Sequence, residues 1–173
     1  MINYFEFYEL PVKFNLDEQA LKARYFDLLK RHHPDFFVNN PEKYKEALLH
    51  SSLNNEAYKC LSDFHRRASY IIQLSNVTFE EKLPSSFLME MMDINEALSE
   101  LQFEPNPSET KKASDDIQKI EDSINTKLQT ISLKSDVLDL HDESLLRELN
   151  ENLLKHKYLL RLKETLANIA TPN

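Results

Sequence analysis

The chain has 173 residues, of which 41% are hydrophobic, and it carries a formal net charge of −8 at pH 7. This length allows one large domain or two small ones, and the negative charge argues against non-specific nucleic-acid binding. The chain contains no glycine and a single cysteine, which excludes a glycine-rich phosphate loop, an intramolecular disulfide and a cysteine-rich zinc site.

The absence of glycine also bears on the fold class. Type I′ hairpins and glycine-capped helix ends are unavailable, and few segments alternate with period two, so an all-α chain is predicted. No apolar run approaches membrane-spanning length, and the N-terminus lacks the basic and apolar regions of a secretory signal. A cytoplasmic protein without a membrane partner is therefore expected.

Two capping signals open the first two predicted helices. Asn3 with Glu6, and Asn15 with Glu18, have the spacing of a capping box, in which side chains satisfy the exposed N–H groups of the first turn. The first helix should be short, and the second should end at about His32.

The second predicted helix is followed by the tripeptide His33-Pro34-Asp35. Proline cannot continue a helix and moves the preceding residue out of the α region, so the tripeptide forms a turn that presents an imidazole and a carboxylate together. Asn40 as N-cap and Pro41 at the first helical position start the next helix. These signals predict a helical hairpin with a polar tip, although so short a motif by itself is more often an ordinary turn than a site.

Basic residues border this tip. Arg24 and Arg31 lie on the face of the second helix opposite its apolar residues, with Lys30 nearby. Basic residues on the outer face of a helix usually have no role beyond contact with solvent.

A third helix, Pro41–Leu61, and a fourth, Phe64–Leu74, are predicted next. The apolar residues of the third helix place its core positions at Leu48, Leu49, Leu53, Ala57 and Leu61.

The first 75 residues resemble a J-domain. The resemblance rests on the stretch Tyr4–Pro11, the basic second helix, the tripeptide and the segment Asn55–Tyr58. J-domains are co-chaperones of DnaK-type ATPase chaperones, and the resemblance implies that the tripeptide and the basic helix bind that partner. The implied chaperone-binding residues are His33, Pro34, Asp35, Arg24, Lys30 and Arg31.

Residues 76–83 have few core-forming positions and are followed by Pro84, so they are interpreted as a connector between domains 1–75 and 84–173. The second domain is predicted as an antiparallel bundle of three helices. They are expected from Ser85 as N-cap to about Phe103, from Asn106 as N-cap onwards, and from about Asp142 to about Ile169.

The first bundle helix has more apolar residues than one core face needs. Its core stripe comprises Phe87, Met91, Ile94, Leu98 and Leu101. Leu88, Met89 and Met92 point away from that stripe. They form either part of a wide core, a contact with the first domain, or an exposed partner site, a role that suits methionine because its side chain adapts to a partner's shape.

Phe87-Leu88-Met89-Glu90 after a J-domain and a short connector resembles the HscB family of co-chaperones of iron–sulfur cluster assembly. The resemblance implies that the bundle binds an IscU-type scaffold protein through Leu88, Met89, Met92 and an aromatic residue of the last helix, for which Tyr158 is the best match. Tyr158 lies opposite the predicted stripe Leu145–Leu149–Leu153, so both an exposed and a core position are open for it.

Other chemistry has little support. His32 and His33 with Asp35 supply too few converging ligands for a metal site, and no motif accompanies Cys60 as a nucleophile. Neither a cofactor nor enzymatic activity is expected.

Two hypotheses remain. The chain is an adaptor that links a scaffold protein to a DnaK/HscA-type chaperone, or a J-domain protein of general folding whose bundle serves oligomerisation or spacing. The first requires Leu88, Met89 and Met92 to be exposed, and the second requires them to be buried.

Overall fold

Helices form all the regular secondary structure of residues 2–137 and 142–170, the part of the chain that the computed structural model describes. The prediction of an all-α chain is confirmed. The helices are α1 (Tyr4–Phe7), α2 (Glu18–Arg31), α3 (Pro41–Leu61), α4 (Phe64–Leu74), α5 (Ser85–Glu90), α6 (Met92–Phe103), α7 (Pro107–Val137) and α8 (Glu143–Ala170), with a short 3₁₀ helix at Pro34–Phe37. No helix in these two ranges is long and apolar enough to cross a membrane.

The chain divides into two units, Met1–Asn76 and Val77–Asn173. The division falls at the start of the segment interpreted as a connector, 76–83, which has no regular secondary structure. The last three residues of the predicted second domain, 84–173, lie outside the described residues.

Of the N-caps predicted for the first two helices, the first is observed and the second is not. Asn3 accepts a hydrogen bond from the backbone N–H of Phe5, as an N-cap should. The start predicted at Asn15 is wrong, because Asp17 caps α2 by accepting from the N–H groups of Gln19 and Ala20. The charged carboxylate also suits the positive end of the helix dipole.

Two left-handed residues end helices in a chain without glycine. Glu9 has φ 53° and Asn76 has φ 57°, the region that glycine usually supplies at a helix end. The N–H of Leu10 then reaches back to the carbonyl of Phe5, at 2.9 Å, and closes the end of α1.

The core of the first unit lies where α1, α2 and α4 pack on α3. Its large buried side chains are Phe5, Tyr8, Phe14, Leu21, Leu61 and Ile71. On α3 the buried residues are Ala47, Asn54, Ala57 and Leu61, whereas Leu48 and Leu49 are exposed. The prediction of those two leucines as core was wrong because they lie on a face of α3 that its neighbours do not cover, although Ala47 on the same turn is buried.

A polar side chain occupies the centre of this core. The Tyr8 hydroxyl lies 2.8 Å from both the backbone oxygen and the Oδ1 of Asn54, and Asn54 Nδ2 donates to the Tyr25 carbonyl at 3.1 Å. Three helices, α1, α3 and α2, are thereby joined through one amide. Burial raises the pKa of the Tyr8 hydroxyl well above its ordinary value.

The second unit is an antiparallel three-helix bundle, as predicted, in which α6, α7 and α8 each pack on the other two. All five predicted stripe residues of its first helix are buried. That helix is not continuous, however, because it breaks at Met91 into α5 and α6. Ser85 is its first helical residue rather than its cap, and no side chain caps α5.

The two long helices of the bundle start as predicted. Asn106 accepts from the N–H groups of Ser108 and Glu109, and Asp142 accepts from those of Ser144 and Leu145. Aspartate and asparagine are preferred at such N-caps because their short side chains reach the free N–H groups.

The core-facing stripe of α8 differs from the predicted one. The buried residues are Leu146, Leu149, Asn152, His156, Leu159, Leu162 and Leu166, while Leu145 and Leu153 are only half-buried. The predicted stripe is therefore confirmed at Leu149 alone, because it followed leucines and passed over the buried polar positions Asn152 and His156.

An ionic cluster crosses the bundle between α7 and α8. Glu121 is buried, lies 3.7 Å from His156 Nε2, and pairs with the Lys163 ammonium, which also donates to Gln118 at 3.0 Å. A buried carboxylate needs such partners to offset its lost hydration.

Candidate partner-binding sites

The tripeptide lies on a turn at the tip of a helical hairpin, as predicted. Helix α2 ends at Arg31, and the N–H of the next residue, His32, still bonds to the Leu28 carbonyl. His33 is extended, with φ −67° and ψ 126°, because Pro34 follows it. Pro34–Phe37 then form a 3₁₀ turn before α3 begins.

Local hydrogen bonding orients the imidazole of His33. Its Nδ1 accepts from the backbone N–H of Asp35 at 3.3 Å and lies 3.7 Å from the Asp35 carboxylate. This contact engages Nδ1 within the turn, so Nε2 is the ring nitrogen left for a partner. The turn therefore offers a half-exposed imidazole and a largely exposed carboxylate to a partner.

Aromatic contacts stabilise the turn end of the hairpin. The rings of His32 and His50 stack with centroids 4.6 Å apart, and this joins the end of α2 to α3. The His33 ring meets the edge of Phe36 at 5.8 Å, and Phe36 is 71% exposed. Sequence reasoning missed this exposed apolar neighbour, whose signal was an aromatic pair directly after the tripeptide.

The three basic residues of α2 differ in their surroundings. Arg24 pairs with Glu9 at 3.0 Å and Arg31 pairs with Asp27 at 2.8 Å, all at exposed positions. Lys30 is exposed and has no ion pair within residues 2–137 and 142–170. Exposed pairs of this kind are weak and break readily when a partner competes for the charge.

The second candidate site is an exposed surface on the first bundle helix, called here the Leu/Met surface. It consists of Leu88, Met89 and Met92, whose exposed fractions are 43%, 70% and 64%. The neighbouring core residues are buried, so these three side chains are surplus to the packing of the bundle.

Acidic residues surround the Leu/Met surface. Residues 83–110 contain six acidic and no basic residues, and those nearest the surface, Glu90, Asp93 and Glu96, are all exposed. Sequence reasoning missed this rim, although a count of charges along the helix would have found it. The first bundle helix thus carries acidic residues beside its apolar surface, which favours a partner with basic residues around an apolar recess.

Tyr158 of α8 lies half-buried at the side of the first bundle helix. Its ring meets Phe87 edge-on, with centroids 5.7 Å apart, and its hydroxyl oxygen accepts from Nδ2 of Asn95 at 2.8 Å. Phe87 directly precedes Leu88 in the sequence, and Asn95 follows Met92 by three positions.

No candidate metal centre appears among residues 2–137 and 142–170. No three acidic, histidine or cysteine side chains in these ranges come together to hold a metal ion. Cys60 is half-buried, and burial raises the pKa of its thiol, which disfavours the reactive thiolate.

Comparison with known proteins matches both units. A DnaJ domain family model matches residues 4–70, and the family model described as the HSCB C-terminal oligomerisation domain matches residues 83–167. "Co-chaperone protein HscB" of Buchnera aphidicola is 28% identical over 94% of this chain and 99% of its own length. "Co-chaperone protein HscB homolog" of Shewanella denitrificans is 29% identical over 97% of each.

Solved structures agree with the sequence matches. "Chaperone HscB from Vibrio cholerae" superposes with a TM-score of 0.80, at 25% identity, over 97% of this chain and 98% of that one. The human co-chaperone protein HscB, at 24% identity, gives the same TM-score over 100% of this chain and 84% of its own, and shares the fold. Because both family models match this chain and the HscB relatives align over nearly all of it, the chain belongs to the HscB family of J-domain co-chaperones.

Proposed function

We propose that this co-chaperone binds an IscU-type iron–sulfur scaffold protein, delivers it to a DnaK/HscA-type chaperone and stimulates the ATPase of that chaperone, so that it aids iron–sulfur cluster assembly. The observation that carries the proposal is the exposure of Leu88, Met89 and Met92 beside a completed core. Large exposed apolar side chains that cluster on one helix favour a protein partner.

The hairpin tip supports the chaperone part of the proposal. The half-exposed His33 imidazole and the exposed Asp35 carboxylate lie on a turn that a local hydrogen bond orders. Lys30 adds an exposed positive charge on the adjoining helix. A negatively charged surface of an ATPase domain would complement this tip, and the basic face would speed its approach.

A second function has one observation in its favour. The family model that matches residues 83–167 is described as an oligomerisation domain, and the same Leu/Met surface would suit contact between two copies of the chain. Under this alternative the surface is buried in a dimer, and the J-domain acts in general protein folding.

One triple variant separates the two functions. Replacing Leu88, Met89 and Met92 by alanine should leave the melting temperature close to that of the wild type, since the three side chains are exposed. Scaffold affinity, measured by calorimetry, should fall by at least about 30-fold, because an interface hot spot costs roughly 2 kcal/mol or more. Leu133→Ala, which removes an exposed leucine from α7, is the matched control.

Two other results would contradict the adaptor. A triple variant that is strongly destabilised and still binds the scaffold would place the surface in the core. A wild-type dimer that the triple substitution dissociates in sedimentation experiments, with scaffold binding unchanged, would favour oligomerisation.

A further inference from the structure

The first helix of the bundle is interrupted within the Leu/Met surface. Met91 has φ −83° and ψ −5°, whereas a regular α-helix has about −63° and −42°. Leu88 and Met89 precede this residue on α5, and Met92 follows it on α6. The relative directions of the three side chains therefore depend on the backbone at Met91.

The amide side chain of Asn95 hydrogen-bonds to the backbone at this break. Nδ2 of Asn95 donates to the Met91 carbonyl oxygen at 2.6 Å and to the Tyr158 hydroxyl at 2.8 Å. An amide nitrogen has two hydrogens, so it can serve both acceptors at once. The break is thus tied to α8 through Asn95.

Tyr158 contacts the first bundle helix on both sides of the break. Its ring packs on Phe87, which lies on α5, and its hydroxyl meets Asn95, which lies on α6. Phe87 is itself fixed, because it is buried and the Lys155 ammonium lies 5.6 Å from its ring centroid. A single side chain of α8 can therefore set the angle between α5 and α6.

We propose that Tyr158 and Asn95 are positioning residues that fix the break at Met91 and hold the Leu/Met surface in its binding arrangement. A surface ordered before binding loses less conformational freedom when the partner arrives. The inference rests on the proposed function for the identity of that partner, but the arrangement is a property of the free chain. It also gives the Tyr158 hydroxyl a role that direct apolar contact with a scaffold would not need.

Tyr158→Phe and Asn95→Ala test the arrangement without the partner. The first removes only a hydroxyl, and the second removes both hydrogen bonds of the amide. Ser99→Ala, an exposed position one turn along the same helix, is the matched control. Because three of the four methionines are residues 89, 91 and 92, NMR of ¹³C-methyl-labelled methionine reports directly on the break. The methyl signals of Met91 and Met92 should move in both variants and stay in place in the control.

Affinity for an IscU-type scaffold protein supplies the second measurement. Tyr158→Phe should bind about two- to tenfold more weakly, which corresponds to one lost hydrogen bond. Asn95→Ala, which loses two hydrogen bonds, should bind at least as weakly, and both variants should melt close to the wild type. The double variant should bind no more weakly than Asn95→Ala alone, because both substitutions remove the same bond.

The outcomes are separable from those of the proposed function. Methyl spectra of Tyr158→Phe and Asn95→Ala that superpose on the wild type would overturn the positioning role. So would unchanged scaffold affinity in Tyr158→Phe together with lost affinity in Tyr158→Ala, which would make the ring a direct contact. If the wild type fails to bind the scaffold while the methyl signals still move, the positioning role holds and the proposed partner is wrong.

Discussion

At the scale of single residues, His33 is an exposed group held by its own turn. Its Nδ1 accepts from the Asp35 N–H, and it takes no part in the core of the first unit. Replacement by glutamine should therefore leave folding unchanged and remove the imidazole that we assign to chaperone binding.

The expected result for His33→Gln is a folded protein that no longer stimulates ATP hydrolysis by a DnaK/HscA-type chaperone. A steady-state phosphate-release assay with the full chain measures the effect, and circular dichroism checks the fold. Normal stimulation by a folded His33→Gln protein would rule out the proposed role of the imidazole.

Tyr8 gives a prediction about stability. Tyr8→Phe leaves the Asn54 oxygens without the hydroxyl donor in a buried site, which should cost about 1–3 kcal/mol of unfolding free energy. Urea unfolding at pH 7 measures the loss. Tyr44→Phe, at an exposed tyrosine of α3, is the control and should cost little.

The same tyrosine predicts a dependence on alkaline pH. Its pKa is raised in the fold because burial disfavours the phenolate. The stabilisation by the neutral hydroxyl is therefore complete below pH 10, the ordinary pKa of tyrosine, and is lost as the pH rises towards the raised value. The difference in stability between the wild type and Tyr8→Phe should shrink above pH 10, and a difference that grows there would contradict this assignment.

At the scale of helices, the basic face of α2 should act mainly on association rates. Among charge-reversing substitutions on this face, Lys30→Glu gives the clearest test. Reversal of Arg24 or Arg31 would also break its ion pair with Glu9 or Asp27. Stopped-flow binding to the ATPase chaperone should show slower association at low salt. The effect should weaken at high salt, since exposed charges are screened beyond about 8–10 Å at physiological ionic strength.

Lys111→Glu is the control for this experiment, because it changes the net charge equally at an exposed position of α7 in the other unit. A loss of binding in Lys30→Glu that does not depend on salt would point to a changed fold of α2 instead of steering by charge.

At the scale of the whole molecule, the two units have separate cores, and a core substitution in one should leave the other intact. Leu98 is 3% exposed within the bundle, and Leu98→Ala should cost the second unit about 2–5 kcal/mol. Hydrogen exchange should show faster opening of α7 and unchanged protection of α3. An equal loss of protection in both helices would show that the units unfold together.

Much of the fold could be read from short-range rules. The turn at His33-Pro34-Asp35, the cap at Asn106 and the helix Phe64–Leu74 all follow from interactions within a few residues along the chain. Proline, capping side chains and helical periodicity act over one or two turns, so the sequence alone determines them.

Tertiary packing decided which face of each helix is buried. Leu48 and Leu49 are exposed although they are as apolar as the core leucines, and Glu121 is buried although it is charged. Both outcomes depend on which neighbouring helix covers the position, and residues distant in the chain supply that helix.

The candidate sites divide in the same way. The sequence by itself determined the tripeptide turn and the surplus of apolar residues at Leu88, Met89 and Met92, because local geometry and helical phase suffice for both. Only the tertiary structure showed the contacts of Tyr158 with Phe87 and Asn95, more than 60 positions away along the chain. No periodic pattern specifies such a contact, because it depends on how α8 lies beside α5 and α6.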